Sequence, residues 1–214
     1  LGPMPSADAF LAELTQKSQN SLDRLLAAYT GLLASERLEL VDIMKMETKS
    51  VLEQTEAAAL WMTDTDDLDF KMALAEACGS GARRFDLLRG RLAALGVDPA
   101  SFDPLVLGYS KLFAFLRSLQ TIEERACAGA MTLHRHALAR HAQVAALANE
   151  RGDAETAHLF GEVLPREEQR LIDAGTKALL LAASGEESQA RAGRASFRVI
   201  ELQGEMLEPT LVRK

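Results

Sequence analysis

Residues 79–96 read GSGARRFDLLRGRLAALG. From Ala82 onward the apolar residues recur three and four apart (Phe85, Leu88, Leu92), and the run stops at Gly96. That is the pattern of an amphipathic helix closed by a glycine. The Gly-Ser-Gly that opens the stretch is out of place, because a glycine inside a helix costs about 1 kcal/mol relative to alanine. Upstream the same period carries Leu74 and Ala77. A helix is therefore expected over about 68–95, with Leu74, Ala77, Gly81, Arg84, Phe85, Leu88 and Leu92 in line.

Working outward, residues 36–63 form a second long helix whose stripe is Leu40, Ile43, Met44, Glu47, Val51, Ala58 and Met62. Glu47 is the one charge in that apolar face. A polar turn, 64–67, joins the two helices. Ahead of them stand two short amphipathic helices, 7–17 capped by Ser6 and 21–34. After Gly96, residues 97–104 have the composition of a crossover loop. Helical periodicity returns by Tyr109 and runs to about Asn149, with a break expected near Cys127–Gly129. A tight connection at 150–153 leads to a fourth long helix, 154–183, which Pro165 should kink or restart. A further amphipathic helix spans 187–206. Residues 208–214 read as a flexible tail, and Leu1-Gly2-Pro3 ahead of Met4 as a vector remnant within a loose 1–5. The expected fold is all-α: one domain, 6–207, whose core is an antiparallel four-helix bundle, 36–183, in two hairpins joined by a crossover.

Composition agrees. Ala and Leu dominate and aromatics are only 5%, as in helical proteins. A net charge of −7 and diluted Arg clusters argue against a nucleic-acid surface. The longest apolar runs, such as Ala178–Ala183, are too short to span a bilayer. Cys78 and Cys127 lie in apolar helical stretches with no visible secretory leader, so free, inert thiols and a cytoplasmic location are expected. There is no Gly-rich phosphate loop, Ser-His-Asp set or zinc spacing.

Residues that face each other across an antiparallel hairpin lie equally far from its loop. Glu47 should therefore face the 81–84 turn, and His134 should face 168–171. Residues 47 and 81 are 34 apart, and so are 134 and 168. The two hairpins thus carry matching layers: Glu47, Gly81 and Arg84 in one, His134, Glu168 and Leu171 in the other.

These layers carry a resemblance. SGARRFDLLRGRLAALG resembles the pattern EEARHxxLLxxRLxxLG, and EEQRLIDAG resembles DExxHxxxG, of the ferritin-like di-iron carboxylate superfamily, over about 40–180. The resemblance implies a ferritin-like bundle and six ligand positions, one Glu plus a Glu-x-x-His from each hairpin. Glu47 and Glu168 match carboxylate ligands. Gly81 stands in place of a Glu, Arg84 and Leu171 in place of the two His, and His134 in place of the remaining Glu. A di-iron centre needs several carboxylates to balance its charge. Two carboxylates beside an Arg do not supply them, so no cofactor is expected.

The residues leave two readings. In one, Arg84 forms a buried ion pair with Glu47 or Glu168 where the metal would have been, and the chain is a degenerate binding protein. Its partner would be another protein, its own copies, or a small hydrophobic ligand in the space left by Gly79 and Gly81. In the other, the chain is an enzyme: Glu47, His134 and Glu168 hold a single iron or manganese for oxidase or hydroxylase chemistry, or the same cluster acts as a metal-free catalyst. His136, His141 and His158 are expected at the surface, and Glu123 as a surface or interface acid.

Overall fold

The computed structural model of the chain describes residues 5–35 and 38–212. The expected remnant at 1–4, the start of the second long helix at 36–37 and the last residues of the tail, 213–214, lie outside the described residues. Among those described there are seven helical rods and no strands. No helix of theirs is long and apolar enough to cross a membrane.

Helix α1 is Ala7–Ala34, capped by Ser6, whose Oγ accepts from Ala9 N at 3.2 Å. It replaces the two short helices expected there. The polar residues that seemed to separate them are accommodated on the helix: Ser18 is buried and donates to Thr15 O at 3.2 Å, and Gln19 reaches Asp23 at 2.7 Å. Helix α2 (Leu40–Asp64) and helix α3 (Leu68–Ala94) form the first hairpin. Asp67 caps α3 by accepting from Phe70 N at 2.7 Å. Gly96 then ends the element at φ 89°, a left-handed conformation that glycine adopts freely.

The crossover includes a short helix, α4 (Lys111–Ser118), fixed from α2. Glu53 is buried there and accepts from Ser110 N at 2.8 Å and Ser110 Oγ at 2.5 Å. Trp61 donates its indole N–H to Leu116 O at 3.1 Å. The helical break therefore falls at 119–121, before the position expected. Helix α5 then runs without interruption over 122–150, as Ile122–Glu124, a π-helical Arg125–Thr132 and Leu133–Glu150. Helix α6 repeats the device over 154–182, with Ala154–His158, a π-helical Leu159–Val163 and Leu164–Ala182. Pro165 follows directly on that widened turn, which accommodates its missing N–H and bulky ring without ending the helix. The α5–α6 connection turns at Gly152, φ 74°.

The second hairpin packs on the first to make the bundle core, with α3 against α6 and α2 reached from α5. Helix α7, Glu186–Val212, is longer than expected and keeps helical backbone over 208–212, where a loose tail was anticipated. It lies alongside α1 in the same direction: Gln189 donates to Pro5 O, and Leu22 and Leu25 pack with Ile200. The pair covers one side of the bundle over α5, so α1 and α7 act as a second layer.

Three glycines set close contacts between helices. An added Cβ at Gly129 would lie 2.4 Å from the Trp61 ring, at Gly175 2.5 Å from Ala130 Cβ, and at Gly81 1.9 Å from Thr55 Oγ1. Gly81 had been expected opposite Glu47. Its Cα instead packs against Thr55, two helical turns further along α2, so it is a packing glycine. Gly79 has only the tip of Arg83 nearby, at 3.4 Å.

Candidate functional site

Helices α2, α3, α5 and α6 each send charged or imidazole side chains into one largely buried layer. Arg84 comes from α3, Glu168 from α6, Glu47 from α2, and His134, Arg140 and His141 from α5. Arg84 is 2% exposed and Glu168 is fully buried. The Arg84 guanidinium donates from Nη1 to Glu168 Oε1 at 2.6 Å, and His134 Nδ1 lies 2.5 Å from Glu168 Oε2. Ionised Glu168 only accepts, so His134 is the donor of that contact.

The second carboxylate is held in the same way. His141 Nε2 lies 3.0 Å from Glu47 Oε1, and Arg140 donates from Nη2 to Glu47 Oε2 at 3.3 Å. His141 also stands edge-on to Phe160, which the second π-helical turn supplies. Two arginines thus balance two glutamates, and each carboxylate oxygen has a donor. Charges removed from water are tolerated only when paired and hydrogen-bonded.

The electrostatic balance follows. Burial alone would raise the Glu168 carboxyl, but His134 and Arg84 outweigh it and hold it at about 2. Burial acts on Glu47 in the same sense and is outweighed by Arg140, His141 and Arg84, which hold it far below the usual carboxylate range. Burial pushes Tyr29, which stacks under Arg140, up to about 12. It also raises the Cys127 thiol to about 12, as suits an inert core cysteine. Both cysteines are free.

The expected residues Glu47, Arg84, His134 and Glu168 are brought into one cluster, with Arg84 bonded to Glu168 rather than to Glu47. Leu171 is buried core one turn from Glu168. Three positions fall elsewhere than expected. His136 and His141 are buried, at 2% and 1% exposure, because the α1–α7 layer and α6 cover the faces of α5 that a lone bundle would leave wet. Glu123 is also buried and accepts from Arg191 Nε at 2.8 Å, tying α7 to α5. Only His158 is exposed, 3.4 Å from Glu162. His141 was legible in principle: it lies seven residues after His134, hence on the same helical face.

The metal set also differs. Glu47, His141 and Glu168 place one ligand atom each within 4.8 Å of one another, with His141 where His134 had been expected. These residues do not fit a metal as they stand. A dication would have to displace Arg84 from Glu168 at 2.6 Å, or lie against that fixed positive charge. His141 Nε2 is committed to Glu47, and its Nδ1 is buried without a partner.

Two cavities adjoin the cluster. The one inside the bundle is only about 40 Å³, between Trp61, Gly129, Arg84, His134 and Leu171. It has room for a water molecule and not for an organic ligand. Neither Gly79 nor Gly81 lines it, and at Gly81 the side chain of Thr55 fills the space where a ligand was anticipated. The other, about 200 Å³, lies outside the bundle core, under the α1–α7 layer, and reaches Glu47 and Arg140 from that side. No protein-family model, curated protein or solved structure matches the chain.

Proposed function

We propose that the chain is a degenerate ferritin-like protein, in which a buried ionic network has taken the place of a di-iron centre and the activity is binding rather than redox chemistry. The observation that carries this reading is the saturation of both carboxylates, Glu168 by Arg84 and His134, Glu47 by Arg140 and His141. A metal-binding layer keeps its carboxylates available to the ion and its counter-charges outside the ligand sphere. Here the cations are inside. The added layer of α1 and α7 supplies surface for a protein partner or a second copy of the chain, and it walls the larger cavity.

One observation favours a second reading, a single metal held by Glu47, His141 and Glu168: their ligand atoms converge. Metal analysis and titration with iron(II) and manganese(II) separate the two. The first reading expects substoichiometric metal in protein purified without chelator, and no saturable uptake on titration. One iron or manganese per chain, abolished in a Glu47→Ala, Glu168→Ala double variant, establishes the second.

A further inference from the structure

The cavity under the α1–α7 layer contains polar atoms that the protein itself leaves unanswered. His136 is 2% exposed and forms part of its wall, and neither Nδ1 nor Nε2 has a hydrogen-bond partner. Gln203, from α7, lines the same space. It lies beside His136 without hydrogen-bond geometry, and its Oε1 is buried and unpaired. The Arg140 Nε is likewise unpaired. Leaving one buried polar group unsatisfied costs about 1–3 kcal/mol. Three residues that line one space thus carry unpartnered buried atoms, which marks a place where a guest can complete bonds the protein leaves open.

The rest of the wall limits what that is. Its charges come as two opposed pairs, Arg140 with Glu47 at 3.3 Å and Lys49 with Glu53 at 4.0 Å. The walls are therefore neutral in sum, and a charged guest would arrive without a counter-ion. Ile43 and Leu112 are buried apolar walls, and Met46 and Met206, 40% and 42% exposed, flank the opening. Methionines adapt readily to different apolar shapes. An apolar cavity of about 150 Å³ accommodates benzene, so one of about 200 Å³ takes a substituted ring or a short chain.

The geometry points to a binding site for a small neutral amphipathic molecule, whose hydroxyl or amide group bonds His136 and Gln203 while its apolar body lies against Ile43, Leu112 and Met206. A hydroxyl or a primary amide both donates and accepts, which matches a neutral imidazole beside a carboxamide. His136 is kept in that neutral form chiefly by burial, with Arg140 adding to the effect. The inference rests on the proposed function to this extent: Arg140 and Glu47 form a fixed, charge-neutral wall only while they belong to the metal-free network.

Calorimetric titration with five probes tests it: 4-methylphenol, hexanamide, toluene, hexanoate and hexylammonium. The phenol and the amide are expected to bind at least about tenfold more tightly than toluene, since toluene leaves His136 and Gln203 unpaired. Both should shift the Gln203 side-chain amide resonances, and the two ions should not bind measurably. His136→Phe should lower the affinity for 4-methylphenol about tenfold or more. Met206→Trp, at the partly exposed mouth, should block both neutral probes even if the first variant folds poorly. The inference is overturned by an ion binding as tightly as hexanamide, by Met206→Trp leaving binding intact, or by no probe shifting Gln203, which would mean the cavity holds water only. Metal content is measured on the same preparation. A protein that carries iron yet binds the phenol overturns the proposed function alone, and a metal-free protein that binds none of the probes overturns this inference alone.

Discussion

Arg84 is among the largest side chains fully enclosed in the core, and its position there depends on one bond, the 2.6 Å contact to Glu168. The Coulomb gain of a buried pair roughly offsets the cost of dehydrating it, so the pair adds little to stability as a pair. Breaking it is another matter, because the remaining charge stays buried. Arg84→Leu should therefore lower the free energy of unfolding at pH 7 by about 3–5 kcal/mol, leaving Glu168 with His134 alone. An Arg84→Leu, Glu168→Leu double variant should recover much of that loss, since no buried carboxylate is stranded. Urea titration of the three proteins gives the coupling directly. A loss below about 1 kcal/mol in the single variant would show that Glu168 does not depend on Arg84 for compensation.

The helix that carries Arg84 also carries the Gly-Ser-Gly, and its two glycines act differently. Gly81 lets α3 approach α2, because a Cβ there would overlap Thr55 at 1.9 Å, whereas Gly79 makes no such contact. Gly79→Ala should thus raise stability by about 0.5–1 kcal/mol through helix propensity alone. Gly81→Ala should lower it by about 1–3 kcal/mol, as overpacking does. Thermal melts of the two variants should move in opposite directions, and equal gains would show that α2 yields freely at Thr55. The contrast also marks what the sequence could reveal. Period and caps made α2, α3, α6 and both hairpin turns legible, while α1 reads from the sequence as two short helices, and hairpin symmetry picked out Glu47, Arg84, His134 and Glu168. The same symmetry put Gly81 opposite Glu47, because it assigns register from loop position and cannot register a local close contact. The π-helical turns at Arg125–Thr132 and Leu159–Val163 left no trace in the 3.6-residue pattern. His136 and Arg140 were missed for a tertiary reason, since α1 and α7 cover the face of α5 that carries them, whereas His141 could have been found from its seven-residue spacing to His134.

Across the whole molecule, burial of these groups ties stability to pH in two separate windows. His136 has its imidazole pushed well below the ordinary 6.5, chiefly by burial and then by Arg140, with Gln203 and Glu47 opposing and His141 adding to the fall. Below pH 6.5 the unfolded chain therefore takes up a proton that the folded chain refuses. Stability present above that pH is lost as the pH falls, by up to about 1.4 kcal/mol per pH unit for this one group. Glu47 and Glu168 act lower. Their folded carboxyls are depressed from 4.5, Glu168 to about 2, so their contribution is complete above 4.5 and is lost as the pH falls towards 2. For Glu168 it amounts to about 3 kcal/mol. Urea midpoints measured from pH 8 to pH 3 should therefore hold level to about 6.5, decline gently, and then fall steeply below about 4.5. His136→Phe should remove the gentle decline and leave the steep one, whereas Glu168→Gln should make the steep one shallower, with Glu47 still contributing to it, and leave the gentle one. If His136→Phe declines between pH 6.5 and 5 as the unaltered protein does, the imidazole is already charged in the fold, and the wall it forms beside Arg140 and Glu47 is not neutral.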